Sequence, residues 1–332
     1  MKAAVLPAKG ATLVIEDVPT PQPGPGEALV RLEAAALNRR DWWIQQGQYG
    51  GLQYPAILGS DGAGRVEAVG STADEAWVGR QVIINPALNW GSDRKAPSKG
   101  FGILGMPTQG CLAAYVCVPE SNLAPQPAHL SAIEAAALPL AGLTAFRAMF
   151  YRGRLQAGEK LLITGAGGGA AQLALHFGLH AGAQVYVTAG SEQKVQACLA
   201  AGAAGGICYK NEDWHKDLKA QAGGFDLIID SAGGADFSKL IDLANDGGRI
   251  VLFGGTAGPW PSMPPQRIFW KQVDILGTTM GSPEDFADML AFVNKHQMRP
   301  TVGQHFPLSR VNEAFEAMGR GDGLGKIVIT IA

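Results

Sequence analysis

Apolar positions come in short runs over the first part of the chain. Ala28–Leu37, Gly64–Val69, Gln81–Ile84 and Ala113–Pro119 are separated by turn-forming stretches such as Pro19–Gly26. Strand-length runs with this punctuation predict a β-rich domain over residues 1–124. From about residue 130 strands and helices alternate. Strands are expected at Lys160–Thr164, Gln184–Thr188, Ile207–Tyr209, Asp226–Asp230, Arg249–Phe253 and Asp274–Thr279, with helices at Gly169–His180, Ser191–Ala201 and Asp213–Gln221. Continuous apolar strands between helices belong to a parallel sheet buried on both faces, so an α/β, doubly wound domain is expected over 125–280. Ser282, followed by Pro283, and Ser309 read as N-caps of two further helices before a last strand, Lys326–Ile331. Because six strands already complete the sheet, residues 281–332 are expected to return to the first domain.

Composition narrows the function. Of 332 residues 47% are hydrophobic and 17% charged, below the ~25% charged residues of an average domain, which excludes disorder. Glycine, 45 residues, is about twice as frequent as usual and announces many tight turns. A net charge of −2 offers no field to concentrate nucleic acid or an anionic membrane, so neither is an expected partner. The N-terminal residues lack the apolar core of a signal peptide, and the run Ala135–Phe146 is too short to span a bilayer. A cytoplasmic location follows as an expectation. Cys111, Cys117, Cys198 and Cys208 form no close pair, which suits a reducing compartment; Cys111 reads as a strand residue rather than a nucleophile.

The strongest chemical signal is Gly165-Ala-Gly-Gly-Gly-Ala-Ala171, directly after the strand at Lys160 and opening the helix at Gly169. Such a turn aims unpaired N–H groups and the positive end of the helix dipole at a pyrophosphate. The fingerprint positions fall on Ala166, Gly168 and Ala171, with Gly167, Gly169 and Ala170 completing the candidate cradle. The second strand ends in Ala189-Gly190-Ser191, where an NAD site places a carboxylate on the ribose hydroxyls. A hydroxyl at Ser191 and an ammonium at Lys194 could hold a 2′-phosphate instead, although Ser191 also suits a helix N-cap. NADPH is the expected cofactor.

Seven further segments occur in order: Asn38-Arg-Arg-Asp41, Leu58-Gly-Ser-Asp-Gly62, Val78-Gly-Arg-Gln-Val82, Glu134–Ala145, Asp230-Ser-Ala-Gly-Gly234, Val251-Leu-Phe-Gly-Gly255 and Gly325-Lys-Ile-Val328. With them the whole chain resembles the medium-chain dehydrogenase/reductase superfamily, and within it the zinc-independent quinone oxidoreductases and 2-enoyl thioester reductases. The resemblance implies a GroES-like N-terminal domain beside the Rossmann domain. It also implies that Thr144 lies near the nicotinamide carboxamide, Tyr209 near the adenosine, Ser231, Phe253, Gly254 and Gly255 along the nucleotide, and Lys326 near a phosphate.

Alcohol dehydrogenases of this superfamily hold catalytic zinc with a Cys and a His of the N-terminal domain, but here those positions read Asn38 and Ser60. All six histidines lie at residue 129 or later, and Asn85–Gly110, matching the structural-zinc lobe, has no cysteine. Asp41, Asp61 and Asp93 make a poor zinc site, so no metal is expected. Without a Lewis acid, plain alcohol oxidation is difficult. A quinone or enone needs less help, because its charge spreads onto an oxygen that hydrogen bonds can stabilise. Asn38, Trp42, Trp43, Tyr49, Tyr54 and Ser60 could line a site for such a flat acceptor. By resemblance Asn38 faces the nicotinamide or substrate, and Tyr49, in Ile44-Gln-Gln-Gly-Gln-Tyr49-Gly, carries the catalytic phenol; their alternatives are a turn cap and an aromatic wall.

Two other functions stay open. A CoA- or acyl-carrier-linked enoyl thioester reductase would need a basic groove, for which Arg39, Arg40, Arg94, Lys95 and Lys99 are the candidates. A non-catalytic NADPH-binding protein would oxidise no bound NADPH. A homodimer is expected, because the apolar sixth strand would otherwise end the sheet as an open edge.

Overall fold

The βα alternation after residue 160 folds into one six-stranded parallel sheet in the computed structural model, which describes Met1–Ile331. Across the sheet the strands run Gly205–Cys208, Gln184–Ala189, Lys160–Ile163, Phe225–Asp230, Ala244–Leu252 and Asp274–Gly277, the order 3-2-1-4-5-6 of a Rossmann fold. Leu161, Leu162, Ile163, Leu227, Ile228 and Ile229 are all buried, as strands covered on both faces require. Helix Gly169–His180 follows the first strand. Helices Phe237–Leu243 and Gln266–Phe269 add to the expected set. Asp274–Gly277 forms one edge of the sheet.

Contacts divide the chain into two units, Thr144–Met280 around this sheet and a second made of Met1–Leu143 with the residues from Gly281 on. The N-terminal unit thus runs past 124 to Leu143. The cause is specific: Leu140 N–H binds Asp61 Oδ1 at 2.8 Å, and Glu134 pairs with Arg299 at 2.7 Å, both within that unit. Its main sheet runs Leu123–Pro125, Gln81–Ile84, Asp61–Val69, Glu27–Leu37, Lys326–Thr330 and Val302–Pro307, with Tyr115–Pro119 also on Glu27–Leu37. A smaller sheet joins Val14–Asp17, Lys2–Leu6 and Ala56–Ile57. Among the described residues no helix is long and apolar enough to cross a membrane.

Ser282 caps helix Pro283–His296, its Oγ accepting Asp285 N–H at 3.2 Å. Ser309 does not cap. It lies inside the 3₁₀ turn Leu308–Arg310, which runs directly into helix Val311–Arg320, and Arg310 stands at the cap position and binds Glu313 at 2.7 Å across the first turn.

Candidate functional site

The Rossmann unit builds the glycine turn from both sides. Gly165 has φ +63°, a left-handed conformation that suits glycine, and its N–H reaches Thr188 Oγ1 at 3.3 Å. Gly168 sits extended at the N-cap of helix Gly169–His180 without a capping side chain, so the first N–H groups of the helix face outward for an anion. Lys194 lies over the turn: a Cβ on Gly167 would stand 2.9 Å from its Cδ and 3.2 Å from its Nζ. Ser191 Oγ accepts Lys194 N–H at 3.4 Å and caps helix Glu192–Ala200. Tyr209 stands against Gly190, where a Cβ would come within 2.7 Å of its hydroxyl. Glu192, the next carboxylate in sequence, accepts from Asn211 Nδ2 at 3.4 Å.

Asp230 organises the neighbouring strand end. Its carboxylate accepts Thr164 Oγ1 at 2.6 Å and Gly233 N–H at 2.8 Å, and its carbonyl accepts Phe253 N–H at 3.2 Å. A Cβ on Gly254 would collide with Ser231 O, so glycine lets these two strand ends close up, while Gly255 faces open space. Thr144 is buried, its Oγ1 3.9 Å from Met280 Sδ. Ala166, Gly167, Gly168, Gly169, Ala170, Ser191, Lys194 and Tyr209 therefore gather around one turn.

In the first unit three adjacent strands end together. Register pairs Ile327 with Leu37 and Asp61 with Ala36, so Lys326, Asn38 and Asp61 meet just beyond the central strand. Lys326 Nζ donates to Asn38 Oδ1 at 2.7 Å and to Asp61 Oδ2 at 2.8 Å, and Asn38 Nδ2 donates to Asp61 Oδ2 at 2.9 Å. All three residues are buried. Lys326 is therefore withdrawn from the phosphate role implied for it, because burying an ammonium requires a charged partner and Asp61 supplies one. Its signal in the sequence was a lone lysine opening the otherwise apolar run Lys326-Ile-Val-Ile-Thr330.

A second layer surrounds this cluster. Asp41, in the first turn of helix Arg39–Gln45, accepts Asn38 N–H at 2.8 Å and Gly59 N–H at 3.2 Å. Burial raises its carboxyl above the usual range, against the pull of Arg40. Arg40 is buried too, donating to Ser60 Oγ at 2.6 Å and Leu104 O at 2.9 Å, which removes Ser60 from the open site residues. The other face of the guanidinium meets Tyr49, with Cζ 5.0 Å from the ring centre and Nε 3.4 Å from the hydroxyl. Tyr49 is 37% exposed, whereas Tyr54 spends its hydroxyl on Ile44 O at 3.2 Å. Cys111 is fully buried, and burial, with Asp61 and Asp41 nearby, pushes its thiol far above the usual range; it is a packing group.

An alcohol dehydrogenase GroES-like domain model matches residues 24–128, and a zinc-binding dehydrogenase model matches residues 165–295. The zinc-type alcohol dehydrogenase-like protein YogA of Leptosphaeria maculans is 36% identical over 96% of this chain and 94% of its own. The chain belongs to the medium-chain dehydrogenase/reductase superfamily. The quinone oxidoreductase of Mus musculus is 27% identical over 95% of this chain and 92% of its own. A crystal structure of an NAD-dependent alcohol dehydrogenase overlays with a TM-score of 0.94 at 36% identity, covering 100% of both chains. As a superfamily member with a GroES-like and a Rossmann unit, the protein is an oxidoreductase that uses a nicotinamide dinucleotide.

Many dehydrogenases of the superfamily hold catalytic zinc, and the residues here do not fit it. The position carries an amide, Asn38, and the nearby carboxylate of Asp61 is taken by an ammonium. Ser60, at the histidine position, is held by Arg40, so no imidazole stands there. Among the described residues no group of three or more His, Cys, Asp or Glu is arranged to hold a metal.

Proposed function

We propose that this protein is an NADPH-dependent reductase of quinones or α,β-unsaturated carbonyl compounds that works without zinc. The observation that carries this reading is the Lys326 ammonium bound to Asn38 and Asp61 at 2.7 and 2.8 Å, a positive charge built into the fold beside the superfamily's metal position. With no Lewis acid to stabilise an alkoxide, a conjugated acceptor suits the site better than an alcohol. Bound NADPH supplies the hydride. The Tyr49 hydroxyl then donates to the oxygen that gathers charge and passes it a proton, and Asn38 offers a second N–H. One hydride and one proton are added, so a quinone becomes a hydroquinone and an enone becomes an enol that tautomerises to the saturated ketone, and solvent returns the proton to Tyr49.

A small acceptor is favoured over an acyl-CoA because Arg39, Arg40 and Arg94, all candidates for binding its phosphates, are engaged elsewhere. Arg39 donates to Met318 O at 2.6 Å, Arg40 is buried on Ser60, and Arg94 pairs with Asp285 and Asp288 at 2.7 and 2.6 Å. The test is a panel of quinones, enals and enoyl thioesters assayed with NADPH under a chelator, alongside elemental analysis. Undiminished turnover of an enone or quinone by zinc-free protein is expected. One zinc per chain, with activity lost on chelation, would refute the reading.

Lys194 over Gly167, with no carboxylate at Ala189-Gly190-Ser191, supports NADPH over NADH. A charge-assisted contact to the 2′-phosphate contributes about 1.5–3 kcal/mol, a preference of roughly ten- to a hundredfold. Lys194→Ala is expected to erase most of it by weakening NADPH and leaving NADH unchanged, and the wild-type preference should shrink as salt rises. Equal dissociation constants for the two cofactors in the wild type at low salt would overturn the assignment.

The exposed edge Asp274–Gly277, preceded by Phe269 and Trp270, the latter 78% exposed, supports a homodimer formed by pairing or covering that edge. Light scattering is expected to give twice the 34.7 kDa chain mass; a monomer at micromolar concentration would refute it.

A further inference from the structure

The cluster at Lys326 does more than neutralise a charge. A primary amide is nearly symmetric in shape, so a lone asparagine can exchange its oxygen and nitrogen positions at little cost. At Asn38 the exchange is blocked from both sides. Oδ1 faces the Lys326 ammonium at 2.7 Å and Nδ2 faces the Asp61 carboxylate at 2.9 Å. The reversed amide would set N–H groups against an ammonium and a carbonyl against a carboxylate. Asp61 is held in turn by Lys326 and by Leu140 N–H at 2.8 Å, so the ring of contacts is closed. An amide nitrogen carries two N–H groups. One of Asn38's is spent on Asp61, and the other has no acceptor among the described residues.

We infer that Lys326 is a positioning residue: its ammonium, acting through Asn38 and Asp61, fixes the amide so that one Asn38 N–H stays directed at the substrate oxygen. A fixed internal cation thereby performs an orienting task for which this cluster has no metal ligands. The inference rests on the proposed reading of Asn38 as a donor to the substrate, and the experiment separates the two.

Lys326→Ala removes the ammonium and leaves room for a short alkylammonium ion. Enone reduction is expected to fall about tenfold or more in kcat, as for loss of an oriented donor, with KM for NADPH unchanged. Propylammonium should restore kcat saturably, and propanol, of similar length but neutral, should not. A second readout needs no turnover: the side-chain amide proton pair of Asn38 in a nitrogen-15 spectrum, assigned by its loss in Asn38→Ala. It should be single in the wild type, shifted or doubled in Lys326→Ala, and restored by propylammonium.

Should the wild type reduce no enone or quinone, the proposed function fails while the amide signal still decides the role of Lys326. Unchanged kcat and an unchanged Asn38 signal in Lys326→Ala would overturn the inference, as would equal rescue by propanol, which would mean that Lys326 only fills space. If Lys326→Ala does not fold, Lys326→Gln keeps a neutral donor at the position and is expected to lose about fivefold or more in kcat. Wild-type kcat in that variant would overturn the inference as well.

Discussion

Asp61→Asn is expected to destabilise the first unit by about 3–5 kcal/mol, the usual cost of breaking a buried ion pair from one side. The substitution keeps the shape and an oxygen that can still accept from Leu140, but an NH2 group replaces the oxygen that accepts from Lys326 and Asn38, so the charge and those two hydrogen bonds are lost together. Lys326 is 3% exposed and cannot reach water once Asp61 is neutral. Lys326→Met should cost a similar amount by stranding the carboxylate. In the double variant Asp61→Asn/Lys326→Met both charges are gone, and part of the loss should be recovered, because no unpaired charge is left buried. Urea unfolding of the four proteins reads this directly. Single variants within about 1 kcal/mol of wild type would show that the pair is not desolvated as the geometry requires. The comparison pair is Lys2–Asp17, at 2.5 Å but with both side chains more than 60% exposed. Asp17→Asn should change stability little, since water screens that contact.

The contrast between these pairs explains what could be read from the chain and what could not. The Rossmann unit was legible because its signals are local. A strand buried on both faces must be apolar throughout, and the glycine turn lies between its strand and its helix in consecutive residues, so Lys160–Ile163 and Gly169–His180 could be placed almost to the residue. The return of the last strand to the first unit followed from counting strands. The partner of Lys326 was not legible, because Asp61 lies 265 residues away and only the register of three strands brings the two together. The same limit misassigned Lys326 to a phosphate and left Ser60 among the open residues, when Arg40 already holds it. Ser309 failed for a nearer reason. A serine before a helical pattern reads as a cap whether the chain enters the helix from an extended residue, as at Ser282, or from a 3₁₀ turn, as here. Side chains whose role depends on contacts between distant strands need the fold before the role.

Tyr49→Phe is expected to lower the rate of enone or quinone reduction by roughly ten- to a thousandfold, about 1.4–4 kcal/mol of transition-state stabilisation. The hydroxyl is the sole difference, and its surroundings say why it should matter. Arg40 Nε approaches Tyr49 Oη at 3.4 Å, and a guanidinium has only donors, so the phenol oxygen accepts there and its own proton remains available to another acceptor. Phenylalanine keeps the ring under the guanidinium at 5.0 Å and preserves the contact that holds Arg40 against Ser60. Stability should therefore change little, and NADPH affinity should not move, since the ring and its contact with Arg40 are kept. Because a donor used in the transition state acts on turnover rather than on ground-state binding, the loss should fall on kcat and kcat/KM alike. If KM for the acceptor rises while kcat holds, Tyr49 binds the acceptor without passing it a proton. If neither constant moves, the ring is only a wall and the proton comes from water.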